Sequence, residues 1–117
     1  MTYQPGSHIL SRIYSLEKEL LTDYKRLQFF LEKTIEHYGL HKVGETFHSF
    51  ENAGYTGVIC LTESHIAFHT WPEYQLLTLD VYLSNHKTDN GSTSKKIFED
   101  ILTFFKATHH ISQEVLR

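Results

Sequence analysis

From Val43 to Ser84 the chain reads in twos, and the two segments that repeat in threes and fours lie on either side of that stretch. Leu77, Leu79, Val81 and Leu83 alternate with Thr78, Asp80, Tyr82 and Ser84, the period of a half-buried strand. Tyr55 to Thr62 is apolar on both parities at its centre, as a strand covered on both faces would be. After a short reversal at Glu63 and Ser64, IAFHTW continues as strand until Pro72, which cannot donate a ladder bond in a central strand. Val43 to Phe50 reads as a strand with Phe47 and Ser49 on one side and Thr46, His48 and Phe50 on the other, and Asn52 to Gly54 supply a turn.

The flanking helices each carry one apolar stripe. Leu20, Tyr24, Leu27, Leu31, Ile35 and Tyr38 form the first, widened by Phe30, with Thr22 or Asp23 as its cap and Gly39 as its stop. Lys25, Arg26, Glu32, Lys33 and Glu36 make its solvated side. Ser92 or Ser94 is expected to cap the second, whose stripe is Ile97, Ile101, Phe104, Phe105 and Thr108. Short opening and closing strands are expected at Ile9 to Tyr14 and around Ile111, Gln113 and Val115. Two single-striped helices best bury their stripes on one face of a mostly antiparallel sheet. The expected fold is therefore α+β, a two-layer sandwich with two helices packed on one face, forming one domain over residues 1–117. The other face of the sheet needs a cover, and a second copy of the chain is the simplest one.

Composition closes several functional classes. The net charge is −3 without a basic stripe, which argues against nucleic acid as the main partner. No run approaches the eighteen or so apolar residues of a membrane span, and the first ten residues lack the features of a secretory signal. A single cysteine, Cys60, rules out an internal disulfide and points to a reducing cytoplasm; within its apolar strand it reads as a small core residue. Nine histidines invite a metal. His65 and His69, however, sit four apart in a strand context with no third ligand evident, so no metal site is expected. His8, His37, His41, His48, His109 and His110 read as surface or satisfied polar groups.

Leu61 to Glu73, LTESHIAFHTWPE, carries more chemistry than a fold needs: a serine hydroxyl, two imidazoles, a Trp-Pro turn and carboxylates within thirteen residues. ESHIAFHTWPE, preceded by TFHSF and TGVICLT and followed by DVY, resembles the small bacterial and archaeal S-adenosylmethionine decarboxylases. The likeness extends from Gly6-Ser7-His8 through the second helix and is densest between Phe47 and Val81.

That resemblance implies a self-cleaving chain, cut between Glu63 and Ser64, in which Ser64 becomes a pyruvoyl group that takes the substrate amine as a Schiff base and draws off electrons as carbon dioxide leaves. It further implies that His69 is the base for the Ser64 Cα proton and that the Thr56 hydroxyl stands where relatives usually have serine. Glu73 would hold ribose hydroxyls, with Phe50 and Trp71 placed to stack on adenine and attract the sulfonium. Twenty residues beyond Ser64, where these enzymes carry a cysteine acid, stand Ser84 and then Asn85. A hydroxyl is a far weaker acid than a thiol, and His86, two residues on, shares the Ser84 face if the strand continues. The resemblance thus implies a cytoplasmic lyase of polyamine and spermidine synthesis, a homodimer acting on S-adenosylmethionine. The Ser84 departure leaves two alternatives: a decarboxylase retuned to arginine or ornithine, and an unprocessed paralogue that binds a ligand or a partner chain.

Overall fold

The computed structural model describes residues 2–85 and 89–117. Six strands form one antiparallel sheet: β1 (Ser7–Tyr14), β2 (Lys42–Ser49), β3 (Tyr55–Leu61), β4 (Ser64–Trp71), β5 (Leu76–Leu83) and β6 (His109–Leu116). They lie in the order β2-β3-β4-β5-β1-β6, so β1 is inserted between β5 and β6. The helical segments are α1 (Lys18–Thr22), α2 (Lys25–His37) and α3 (Gly91–Phe104). This is the α+β arrangement expected, with both long helices on the same side of the sheet.

Alternation decides which strand residues meet the helices. Ile9, Ile59, Ile66 and Val81 are register partners across four strands and are all buried. They join Leu27, Leu31 and Ile35 of α2, Ile97, Phe98 and Ile101 of α3 and Phe105 just beyond it in one apolar cluster. Each such side chain contributes about 1.5–3 kcal/mol on leaving water. Phe30 stacks on Phe104 with ring centres 4.6 Å apart, and the Tyr38 hydroxyl donates to Asp100 at 2.6 Å, so the helices also hold each other.

Several sequence expectations need correction. The first helical stripe is broken: Leu20 belongs to α1, and the chain re-enters helix at Lys25, where the Asp23 carboxylate accepts from the Lys25 N–H at 3.0 Å. Gly39 ends α2 as expected, with φ +69° and the Leu40 N–H returning to the Ile35 carbonyl. Neither Ser92 nor Ser94 caps α3; both lie inside it, and Asn90 holds the cap position. Thr108 lies beyond α3, donating its N–H to the Tyr14 carbonyl, while Phe98, absent from the expected stripe, is buried. The β3–β4 reversal is Thr62 and Glu63 alone, and Ser64 is already in the strand.

Cys60 is exposed, not a core residue. It shares the side of the sheet opposite the helices with Thr56 and Val58, so β3 is not covered on both faces. His8, expected at the surface or as a satisfied polar group, is not at the surface: it is only 8 % exposed, with Arg117 and Tyr82 lying against it. The open face carries three cross-strand rows: Cys60, His65, Tyr82 and His8; Val58, Ala67, Asp80 and Leu10; Thr56, His69, Thr78 and Arg12.

Thr70 ties the helical layer to the sheet from within the core. Its Oγ1 accepts from the Tyr55 N–H at 2.8 Å and donates to the Leu21 carbonyl at 2.7 Å, and the Tyr55 hydroxyl donates to the Leu20 carbonyl at 2.7 Å. Thr70→Val keeps the shape and leaves two buried backbone groups without a partner, so stability should fall by about 2 kcal/mol. A lowered urea midpoint with an unchanged slope would show this; an unchanged midpoint would mean that other groups take over both bonds.

Candidate active site

The chemistry-bearing residues fall into two groups at opposite ends of β4. The first is built around Thr56 and His69, register partners in β3 and β4 whose side chains meet through Thr56 Oγ1 and His69 Nδ1. A histidine bonded at Nδ1 has its tautomer set by that bond. When Nδ1–H is donated to Thr56, Nε2 keeps the lone pair that a base requires. Trp71, two residues further along the same face, stands with its ring centre 5.9 Å from that of His69 and is 38 % exposed. Pro72 then starts a 3-10 turn, Pro72–Tyr74, closed by Gln75 in the left-handed region at φ 53°, and Glu73 sits exposed at its start.

Phe50 reaches the same place from the β2–β3 corner, where its N–H donates to the Gly54 carbonyl and Asn52 adopts φ 56°. Phe50, Thr56, His69, Trp71 and Glu73 line a cavity of about 350 Å³, with Tyr55 and Thr70 forming part of its wall. The volume lies within the range of small-molecule sites. Two half-exposed aromatic rings, an imidazole and a carboxylate suit a flat, partly cationic ligand.

The second group surrounds Ser64. A smaller cavity of about 110 Å³ is lined by His41, Glu63, Ser64, Ser84 and Asn90, among others. The Ser84 N–H donates to Ser64 Oγ at 2.9 Å, and the Ser84 hydroxyl lies 3.5 Å from the Glu63 carboxylate, at the limit of a hydrogen bond. Glu63 and Ser64, the expected cleavage pair, therefore lie at a two-residue hairpin turn with Ser84 against them. His86 lies outside the described residues. Asn85, already marked in the sequence as part of the departure at Ser84, and Asn90, which carried no signal there beyond turn propensity, both frame Ser84.

His65 and His69 cannot share an ion, because four residues of strand separate them by about 13 Å. A different set converges on the open face, where donor atoms of His8, His65 and Asp80 lie within 4.8 Å of one another. His8 Nε2 is 3.6 Å from Asp80 Oδ2, and the Arg117 guanidinium is 3.4 Å from His8 Nδ1. With Nδ1 accepting from arginine, Nε2 carries the hydrogen, buried and without a hydrogen-bond partner among the described residues, and a positive charge already occupies the neighbourhood. In that tautomer His8 Nε2 has no lone pair to offer an ion, and the adjacent guanidinium opposes a second cation.

Burial holds the His65 imidazole below its ordinary value near 6.5, with His8 adding to the shift and Asp80 opposing it. A histidine whose folded pKa is depressed resists protonation that the unfolded chain accepts. Its contribution is complete above the unfolded value and is lost as the pH falls through it. Stability should decline from about pH 7 to about pH 5, and His65→Asn should flatten that decline. Urea midpoints across the window measure it; identical slopes in the two proteins would exclude His65 as a source.

The geometry can now be set beside known proteins. The family model for S-adenosylmethionine decarboxylase matches residues 7–117. An S-adenosylmethionine decarboxylase proenzyme of Thermoplasma volcanium is 31% identical over 112 residues, spanning 96% of this chain and 83% of its own. Its namesake in Archaeoglobus fulgidus is 35% identical over 103 residues, spanning 86% and 87%. The crystal structure of the adenosylmethionine decarboxylase from Aquifex aeolicus superimposes with a TM-score of 0.85 at 28% identity, covering 99% of this chain and 92% of that one. Decarboxylases of this family are self-processed and pyruvoyl-dependent. With that match over nearly its whole length, the chain belongs to the S-adenosylmethionine decarboxylase family.

Proposed function

We propose that this chain is a self-cleaving S-adenosylmethionine decarboxylase of cytoplasmic polyamine synthesis, and that each working site is shared between two copies. The observation that carries the reading is the split along β4. Ser64 and His69 are five residues apart on one strand, so about 17 Å separates them. No rotamer closes that gap within one protomer. A second copy laid antiparallel across the open face, with its two-fold axis near Ala67, sets the Ser64 end of one β4 against the His69, Trp71 and Glu73 end of the other. The same contact covers Val58, Cys60 and Leu10, which the single chain leaves partly or wholly exposed.

The residues at position 64 fit the pyruvoyl group. A serine hydroxyl follows the tight turn, its oxygen fixed by a backbone N–H, and the carbonyl it must attack is that of the preceding residue. Once formed, the group supplies the electron sink for loss of carbon dioxide. The chain's own residues do the rest. His69, with Thr56 on its Nδ1, is the base for the Ser64 Cα proton during processing. Glu73 accepts hydrogen bonds from the ribose hydroxyls, and Phe50 and Trp71 hold the adenine between apolar faces and attract the sulfonium. Ser84, against Ser64, stands next to the reacting carbon.

The intact mass of the purified protein under denaturing conditions tests the first part. Two fragments meeting between Glu63 and Ser64 are expected, and a single chain from Ser64→Ala without activity. Turnover by Ser64→Ala would defeat the mechanism, and carbon dioxide release from arginine or ornithine instead of S-adenosylmethionine would reassign the substrate. The shared site is tested by coexpressing Ser64→Ala with Glu73→Ala. Each variant alone should be nearly inactive. Random pairing puts one intact site in half of the dimers, so activity should return to about a quarter of the wild-type level. No recovery would place each site within one protomer.

A further inference from the structure

Ser84 follows the last ladder pair of β5, Leu83 with Ser7, and its N–H is turned to Ser64 Oγ at 2.9 Å. What holds it there is unusual for its position. Asn90 occupies the N-cap of α3, where an asparagine side chain ordinarily bonds the first turn, and it makes no such bond. Its Nδ2 donates instead to the Ser84 carbonyl at 2.9 Å. The Asn90 N–H donates to Asn85 Oδ1 at 2.6 Å, and Asn85 Nδ2 donates to the Pro5 carbonyl at 2.8 Å. Gly6 completes the packing, since a Cβ there would stand 2.5 Å from the Leu83 carbonyl oxygen and 2.9 Å from the Ser84 Cα. Both peptide groups of Ser84 are thereby fixed, one on Ser64 and one on the start of α3.

We infer that the Ser84 backbone N–H stabilises the oxygen that departs during self-cleavage, with Asn90 and Asn85 as positioning residues for it. The inference rests on the cleavage proposed above. Ser64 Oγ attacks the Glu63 carbonyl carbon, the bond from that carbon to the Ser64 nitrogen breaks, and the hydroxyl proton ends on that nitrogen, leaving an ester. A base then removes the Ser64 Cα proton. That electron pair becomes a Cα–Cβ double bond and the Cβ–Oγ bond breaks, so Oγ leaves as one oxygen of the Glu63 carboxylate. Water then replaces the nitrogen, which departs as ammonia. Negative charge develops on Oγ in the elimination step, and that is the atom the Ser84 N–H contacts in the intact chain. A donor already in place where charge will appear needs no reorganisation when the bond breaks. The same donor also fixes Oγ before the attack, but the gain is greatest where the oxygen becomes an anion.

Asn90→Asp separates this role from a merely structural one. Aspartate keeps the size and capping ability of asparagine, so α3 is not weakened, but it has no N–H for the Ser84 carbonyl and sets an anion beside it. The full chain is made in a cell-free system and followed by intact mass, with and without hydroxylamine, alongside its melting temperature. In the wild type, two fragments should appear, the second with a pyruvoyl terminus. In Asn90→Asp they should appear about tenfold more slowly, while a full-length species accumulates. Hydroxylamine should split that species into residues 1–63 as a hydroxamate and a second fragment beginning with intact Ser64. Melting should be unchanged. Asn90→Ala should act in the same direction and serves if the aspartate variant does not fold. Cleavage at the wild-type rate overturns the inference, as does slow cleavage without a hydroxylamine-sensitive chain, which would put the delay before the ester. A wild-type chain that never cuts overturns the functional reading itself, and this inference with it.

Discussion

The register of the β3–β4 hairpin is the constraint on which the site depends. Two residues of turn pair Leu61 with Ser64, and every later pair follows, down to Thr56 opposite His69. A slip of one residue would turn each β4 side chain to the other face, sending His69 and Trp71 into the core and Phe68 out of it. Phe68 therefore keeps His69 and Trp71 on the open face without itself lining the cavity there. It is 1% exposed, packs beside Phe47 and Tyr55, and lies over Gly57, where a side chain would collide with its ring. The apolar half of the strand fixes where the polar half points.

The sheet was legible because its signals are local. Period two in Leu76–Leu83, the Asn-Ala-Gly turn and Pro72 each act within a few residues, and each marks its element. Gly39 as a helix stop was equally plain. The break between α1 and α2 was only half visible: Asp23 was an expected cap and does hold the Lys25 N–H. Leu20 and Tyr24, however, continue the helical spacing, and it is the tie of Leu20 and Leu21 to Tyr55 and Thr70 that sets the first segment apart. Asn90 escaped for a related reason: its competition between capping and Ser84 is settled by a strand that arrives from elsewhere in the chain. Cys60 was misplaced, and His8 left open between surface and interior, because residue type was taken over parity. Cysteine was assumed dry, whereas alternation put both residues on the face away from the helices and Arg117 then covered His8.

The site residues had a mixed fate. Residue types and the resemblance together named Ser64, Thr56, His69, Trp71, Glu73, Phe50 and Ser84, and the fold gathers them into two clusters. That they lie at opposite ends of one strand follows from simple counting at 3.4 Å or so per residue. The count becomes informative only once β4 is known to run unbroken from Ser64 to Trp71. The division also gives meaning to the apolar content of β3, which reads as a doubly covered strand although one chain covers a single side.

The placement of Ser64 directly after the hairpin turn has one further consequence. A cut there removes the shortest covalent link between two neighbouring central strands and leaves the sheet intact, since β4 keeps its ladders to β3 and β5. Before the cut, β3 and β4 meet as parts of one chain, and closing a two-residue loop costs little entropy. Afterwards the same sheet is a complex of two polypeptides, whose reassembly from the denatured state depends on concentration. The fold is thus reached as one molecule and kept as two. Its persistence after processing rests on how slowly it opens, not on how readily it forms again.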